Sequence, residues 1–254
     1  SFNSGLSVAP FEDFLASLTP AAQAEPITAH TPVIADDVSQ SIDNLSPEKR
    51  ALLALRLKKR TDASAKTKKT IRRRSESDPA PLSFAQERLW FLEQLEPGNS
   101  AYNNADAFRL TGRCDREALE GSLNEIVRRH EALRGTFAAV DGQPVQTIAP
   151  ALQVELQVID FSDLPASERE ARAQRLLTEE AQPPFDLSRG PLFRACLLQL
   201  SNEDQILLLT LHHIVSDGWS GGVLFHELAA LYEAFSAGRS SSLPELPIQY
   251  ADFA

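Results

Sequence analysis

His212 and His213 stand side by side, and Asp217 and Gly218 follow within five residues. They lie in a stretch, residues 205–222 (QILLLTLHHIVSDGWSGG), where an apolar run stops abruptly at ionisable and small residues. Residues 206–211 are apolar or Thr, long enough for a buried strand and too short for a helix before the Ser-Asp-Gly punctuation. Side chains alternate across a strand, so the two imidazoles are predicted to point to opposite faces, one toward a cleft and one into a packed layer. Asp217-Gly218 reads as a turn, with Gly218 where a positive φ or a close backbone approach to a ligand would require glycine. A plainer reading also fits these residues: two histidines at the polar end of a strand, and an aspartate that only makes a turn.

The elements that must position this cluster follow from periodicity and punctuation. Ser83 caps a helix over 83–95, whose Phe84, Leu89, Trp90, Phe91, Leu92 and Leu95 predict burial along much of its length. A strand over 102–110 follows the Pro97-Gly98 break, and Asp115 caps a helix to residue 130 with Leu119, Leu123, Ile126 and Val127 on its inner face. Residues 135–148 read as a hairpin turning at Asp141-Gly142, and 154–159 as a further strand. A polar-faced helix over 167–180 stops at Pro183-Pro184. Residues 192–200 and 205–211 form a second hairpin, and a long helix over 222–235 comes after the histidines. This order describes an α/β layer with a mixed or mostly antiparallel sheet. It contains neither a dinucleotide-binding glycine fingerprint nor a phosphate loop.

Composition bounds the class. The 254 residues are 43% apolar, enough for a globular core, and no apolar run approaches the roughly 20 residues of a membrane span. Cytoplasm is the expected compartment. Cys114 and Cys196 lack metal-ligand spacing and read as unpaired thiols, so no metal site is expected. The net charge of -10 argues against general nucleic-acid binding. Its distribution is uneven, because residues 56–74 carry ten Lys/Arg against one Asp. Residues 1–44 read as linker or disorder with one apolar stripe at Phe11, Phe14, Leu15 and Leu18. Residues 45–60 read as a short amphipathic helix capped by Ser46, and 61–80 as a basic flexible linker. The folded lobe occupies 81–254. With no methionine at all, the chain reads as an excised or processed piece.

Four segments resemble, in order, the motifs of condensation domains from non-ribosomal peptide synthetases. Residues 83–92, SFAQERLWFL, are similar to the family's SxAQxRLWxL. Residues 129–137, RHEALRGTF, resemble RHExLRTxF and depart at Gly135, where Thr is usual. Residues 212–218, HHIVSDG, resemble HHxxxDG, and 250–254, YADFA, look like the start of a fourth motif. The likeness covers about 82–254 and implies one lobe of a chloramphenicol-acetyltransferase-like two-layer sandwich, its C-terminal lobe absent. Residue by residue, it implies His213 as the active-site residue, with His212 behind it. It implies Asp217 paired with Arg134 to hold the loop, and Gly218 admitting the backbone to the substrate channel. The implied reaction is amide formation between two carrier-bound thioesters, with an L-configured donor and acceptor. No cofactor is bound directly, since substrates ride on phosphopantetheine arms of upstream and downstream peptidyl carrier proteins, with an adenylation domain downstream.

Two other readings compete. One is a coenzyme A-dependent acyltransferase of the HxxxD type, and the other a non-catalytic module that recruits carrier proteins. An exposed apolar patch beside His213 would mark the footprint of the absent lobe.

Overall fold

The computed structural model describes residues 8–10, 71–75 and 80–254. The apolar stripe at 11–18, the helix expected over 45–60 and most of the basic run lie outside the described residues.

The core is a five-stranded sheet built from β1 (Val8–Pro10), β2 (Asn103–Thr111), β5 (Leu156–Asp160), β6 (Phe193–Ser201) and β7 (Asp204–His212). Their order across the sheet is β1-β2-β7-β6-β5. β7 runs antiparallel to both β2 and β6, whereas β1 is parallel to β2 and β5 is parallel to β6, so the sheet is mixed as expected. Residues 8–10 fall in the stretch expected to be linker, and instead their backbone adds an edge strand.

β6 and β7 are the central strands, buried on both sides, which explains their nearly continuous apolar sequence. Leu197, Leu207, Leu209 and Leu211 face α2 (Arg116–Arg129) and α4 (Gly218–Ser236). Cys196, Leu198, Ile206 and Leu208 face α3 (Ala166–Ala181), which contributes Ala173 and Leu177. The sheet and the α2–α4 layer make the two-layer sandwich, and α3 covers part of the other face. Each leucine fully buried in this way contributes about 1.5–3 kcal/mol relative to exposure.

β3 (Gly135–Val140) and β4 (Gln143–Ile148) form a separate hairpin. Its turn residues Asp141 and Gly142 have φ of 52° and 77°, the two positive values a type I′ turn requires. A Cβ on Gly135 would come within 2.8 Å of Gln146 Nε2 on β4, so the usual Thr could enter only if that side chain moved.

α1 (Phe84–Leu95) begins as its cap predicts: Ser83 Oγ accepts from Gln86 N–H, and the Gln86 side chain accepts from Ser83 N–H. Its burial differs from expectation. Only Gln86 and Leu89 are buried, while Phe84, Phe91 and Leu95 are exposed. The helix has apolar residues around most of its circumference, and the lobe covers a single stripe of it.

Candidate active site

β7, the central strand, ends at His212, and the two rings separate as predicted: His212 is buried and His213, the next residue, is exposed. Backbone bonds hold this strand end on both sides. His212 N–H donates to Leu192 O (3.0 Å), and His213 N–H donates to Tyr102 O (2.8 Å).

His212 is packed into the fold. Its Nδ1 accepts from the Ile214 N–H (3.1 Å), which puts its hydrogen on Nε2. Its ring meets Phe185 edge-on, with centroids 6.1 Å apart. Burial, with a smaller contribution from the His213 charge, pushes its pKa down to about 4. At neutral pH it is therefore an uncharged wedge behind the loop.

His213 has the opposite surroundings. Its Nδ1 lies 2.7 Å from Ser216 O, and a carbonyl oxygen can only accept, so Nδ1 carries the hydrogen. That leaves the lone pair on Nε2, which has no hydrogen-bond partner among the described residues. The Asn104 Nδ2 position lies 3.2 Å from Nδ1 and 3.4 Å from Ser216 Oγ. An exposed imidazole with a fixed tautomer and an open Nε2 can take a proton from a bound group.

Asp217 and Arg134 do not form the expected pair. Asp217 is the N-cap of α4: Oδ1 accepts from Ser220 N–H (2.8 Å) and from the Ser220 hydroxyl, while Asp217 N–H donates to Ser220 Oγ (2.8 Å). The Ser220 hydroxyl and N–H hold the Asp217 carboxyl below the usual carboxylate range. Arg134 donates instead to main-chain carbonyls, those of Val127 (3.1 Å), Pro150 (3.1 Å), Arg128 (3.4 Å) and Ala149. Val127 and Arg128 belong to the last turn of α2, whose carbonyls have no partner within the helix, so Arg134 caps a helix end and ties the 149–150 loop to it. The two residues act in separate places, Asp217 at the start of α4 and Arg134 at the end of α2. Asp217→Ala is expected to cost about 1 kcal/mol in urea denaturation, and Asp217→Asn less, because asparagine still caps. Strong coupling between Asp217 and Arg134 in a double-mutant cycle would restore the ion pair.

Gly218 does not take the positive φ that is one of the two readings of it. It is the first residue of α4, and a Cβ there would meet nothing within 4 Å. The turn expected at 217–218 is therefore a capped helix start, and α4 begins four residues earlier than the periodicity indicated.

The segments quoted as motifs meet in space. The buried Gln86 donates from Nε2 to Ile214 O (3.3 Å), clamping α1 onto the histidine loop. Ser83 Oγ and Tyr250 OH are 2.8 Å apart, joining α1 to α5 (Tyr250–Phe253). Gln249 accepts from Glu131 N–H (3.0 Å) and donates to Arg129 O (2.8 Å), joining the same C-terminal stretch to the end of α2. Arg74, from the run expected to be flexible linker, is bonded to Glu131 and donates its N–H to Asp252 Oδ1 (2.9 Å).

Sequence reasoning missed Glu227. Arg129 donates to it in a bidentate pair (3.0 and 3.1 Å), and His130 Nε2 lies 3.0 Å from the same carboxylate. The available signal was a carboxylate on the buried stripe of α4, between Leu224, Leu228 and Leu231. Asn104 gave no signal at all.

A cleft of about 590 Å³ lined by Glu180, Arg194, Cys196 and Thr210 lies on the α3 side of the sheet and does not include His213. Among the described residues, no group of three or more His, Cys, Asp or Glu side chains is placed to hold a metal ion, and no helix is long and apolar enough to cross a membrane. Both cysteines are free.

Comparison with known proteins agrees with this arrangement. Residues 76–254 match the family model described as Condensation domain. Phosphinothricin tripeptide synthetase PhsC of Streptomyces viridochromogenes is 48% identical over 220 residues, covering 86% of this chain and 20% of PhsC. A linear gramicidin synthase of Brevibacillus parabrevis is 52% identical over 174 residues, covering 68% of this chain and 2% of that relative. Among solved structures, the first condensation domain of the calcium-dependent antibiotic synthetase in complex with a substrate analogue matches with TM-score 0.61 at 28% identity, over 66% of this chain and 40% of that one. The X-domain from teicoplanin biosynthesis, solved in complex with OxyB, matches with TM-score 0.62 at 32% identity, over 74% of this chain and 39% of that one. The chain thus spans a fifth or less of these curated relatives and about two fifths of these solved chains. The fold is one lobe of the chloramphenicol-acetyltransferase-like architecture. A match over the same residues whose motif segments are bonded to one another, the first of them also to the His213 loop, establishes that this chain belongs to the condensation-domain family of the non-ribosomal peptide synthetases.

Proposed function

We propose that this lobe supplies the proton-handling histidine of an amide-forming acyltransferase that joins a donor acyl or peptidyl thioester to an acceptor aminoacyl thioester. The observation that carries the reading is the exposed His213 ring, whose Nδ1–H is committed to Ser216 O, so that Nε2 is the base. The acceptor amine attacks the donor thioester carbonyl. Nε2 takes a proton as the C–N bond forms, and the proton leaves with the departing carrier thiol as the C–S bond breaks. The thioesters are held on phosphopantetheine arms of upstream and downstream peptidyl carrier proteins, in a cytoplasmic synthetase with an adenylation domain downstream. Donor and acceptor are L-configured, in keeping with the wording of residues 83–92 and 217–220. General acid–base help is worth roughly 10²–10⁴-fold, so alignment of the two tethered substrates must supply much of the remaining rate.

The lobe works against a second one and is inactive or nearly so by itself. Trp219, one residue into α4, is 85% exposed, and Phe84, beside the Ser83–Tyr250 contact, is 91% exposed, as apolar side chains awaiting cover would be.

The test supplies the synthetase that carries this chain with donor- and acceptor-loaded carriers and follows dipeptidyl-carrier formation by intact mass. Amide that appears only when both carriers are loaded supports condensation. A second reading is favoured by the teicoplanin X-domain, a relative solved in complex with OxyB: the lobe recruits a protein without catalysis. Carrier binding with no amide from any carrier pair would establish that reading instead. Transfer from an acyl coenzyme A to a free amine would establish the coenzyme A-dependent alternative.

A further inference from the structure

Asn104 lies on β2 opposite Leu211, and Asn103 lies opposite His212. Alternation sends Asn103 toward α3, where it donates to Ala181 O and Pro183 O, and sends Asn104 to the other face, beside the His213 ring. One end of the Asn104 carboxamide is 3.2 Å from His213 Nδ1. Nδ1 cannot donate to the Ser216 carbonyl and also accept from an amide N–H. The carbonyl contact is the shorter at 2.7 Å, and its oxygen has no hydrogen to give, so it decides the tautomer. The amide group that faces Nδ1–H must then be the oxygen, which a half-turn of the carboxamide provides. Ser216 Oγ, 3.4 Å from the same end of the amide, adapts to that orientation because a hydroxyl both donates and accepts.

We propose that Asn104 is a positioning residue for His213: its carboxamide oxygen shares the Nδ1–H with Ser216 O, fixes the base at Nε2 and stabilises the imidazolium formed when Nε2 takes a proton. The role deepens the condensation reading and rests on it for its catalytic meaning. A neutral acceptor pair at Nδ1 favours the charged ring without the full charge of a carboxylate, so the proton can still be passed on. Titratable groups near the ring among the described residues include His212, which stays neutral behind it, Asp217, whose carboxylate interacts with its charge, and Asp106, two residues along β2 on the same side as Asn104. The variants leave all three in place.

The test is ¹⁵N NMR of the His213 ring across pH in the 254-residue chain, for wild type, Asn104→Leu and Asn104→Asp. The expected result is a titration moved to lower pH with loss of the Nδ1–H tautomer in Asn104→Leu. In Asn104→Asp it moves to higher pH by about 1–3 units, as for a close opposite charge. Should the leucine variant fail to fold, the near-isosteric aspartate variant still decides the matter. Coincident titrations in wild type and Asn104→Asp overturn the proposal. In the parent synthetase, the acidic limb of the condensation pH profile should move with the ring, while KM for the donor carrier stays constant. A ring that shifts as expected in a synthetase that makes no amide would keep the positioning role and reject the condensation reading.

Discussion

Glu227→Ala is expected to destabilise the lobe by about 3–5 kcal/mol, because it leaves Arg129 charged and buried without a partner. The side chain of Arg129 is only 2% exposed, and all but one of its hydrogen bonds go to this carboxylate, the other reaching Leu243 O. Burial alone would raise the Glu227 pKa. Hydrogen bonds from His130 and Arg129, together with their charges, outweigh it and hold the carboxyl at about 2. The folded value is depressed, so the stabilisation is fully present above the ordinary carboxyl value of 4.5 and is lost as pH falls from there toward about 2. Urea denaturation at pH 7 and at pH 3 reads both effects: the gap between wild type and Glu227→Ala should narrow at the lower pH. Replacing Arg129 and Glu227 together with methionine should recover much of the loss, since no unpaired charge remains. Losses that add independently in the single and double variants would show that the two do not act as a pair. The pair matters to the site because it fixes the end of α2, which carries the second motif, to α4, whose first turn follows the His213 loop.

The sheet and most helices were legible because their signals are local. Alternation placed His212 and His213 on opposite faces, and Asp141-Gly142 placed its hairpin to the residue. The start of α4 was missed because Gly218, Gly221 and Gly222 weaken a helical pattern, and the helix start shows in the bonding of Asp217 to Ser220 and of Gly221 N–H to Asp217 O. The exposure of Phe84 and Phe91 was not legible, because counting apolar residues says nothing of what lies over them. Within the site, the resemblance implied a contact that the structure does not make. Arg134 and Asp217 are 83 positions apart in sequence, and each has nearer groups to satisfy, helix-end carbonyls for one and a helix-start N–H for the other. Glu227 and Asn104 act through partners about a hundred residues away, and no local pattern marks such a pair.

The second large effect falls on the chemistry. His213→Ala removes the one exposed imidazole that the loop presents with a fixed tautomer, while His212, neutral and buried with its Nδ1 occupied, cannot replace it. The expected loss of condensation is about 10²–10⁴-fold, the usual worth of a positioned acid–base group, with the fold intact because the side chain is exposed. The most direct measurement is single-turnover formation of the dipeptidyl carrier, followed by intact mass in the parent synthetase, for wild type and His213→Ala, with carrier binding measured alongside. A drop of that size with carrier binding unchanged is the predicted result. Condensation by His213→Ala at the wild-type rate would contradict the account and return His213 to the polar end of a strand.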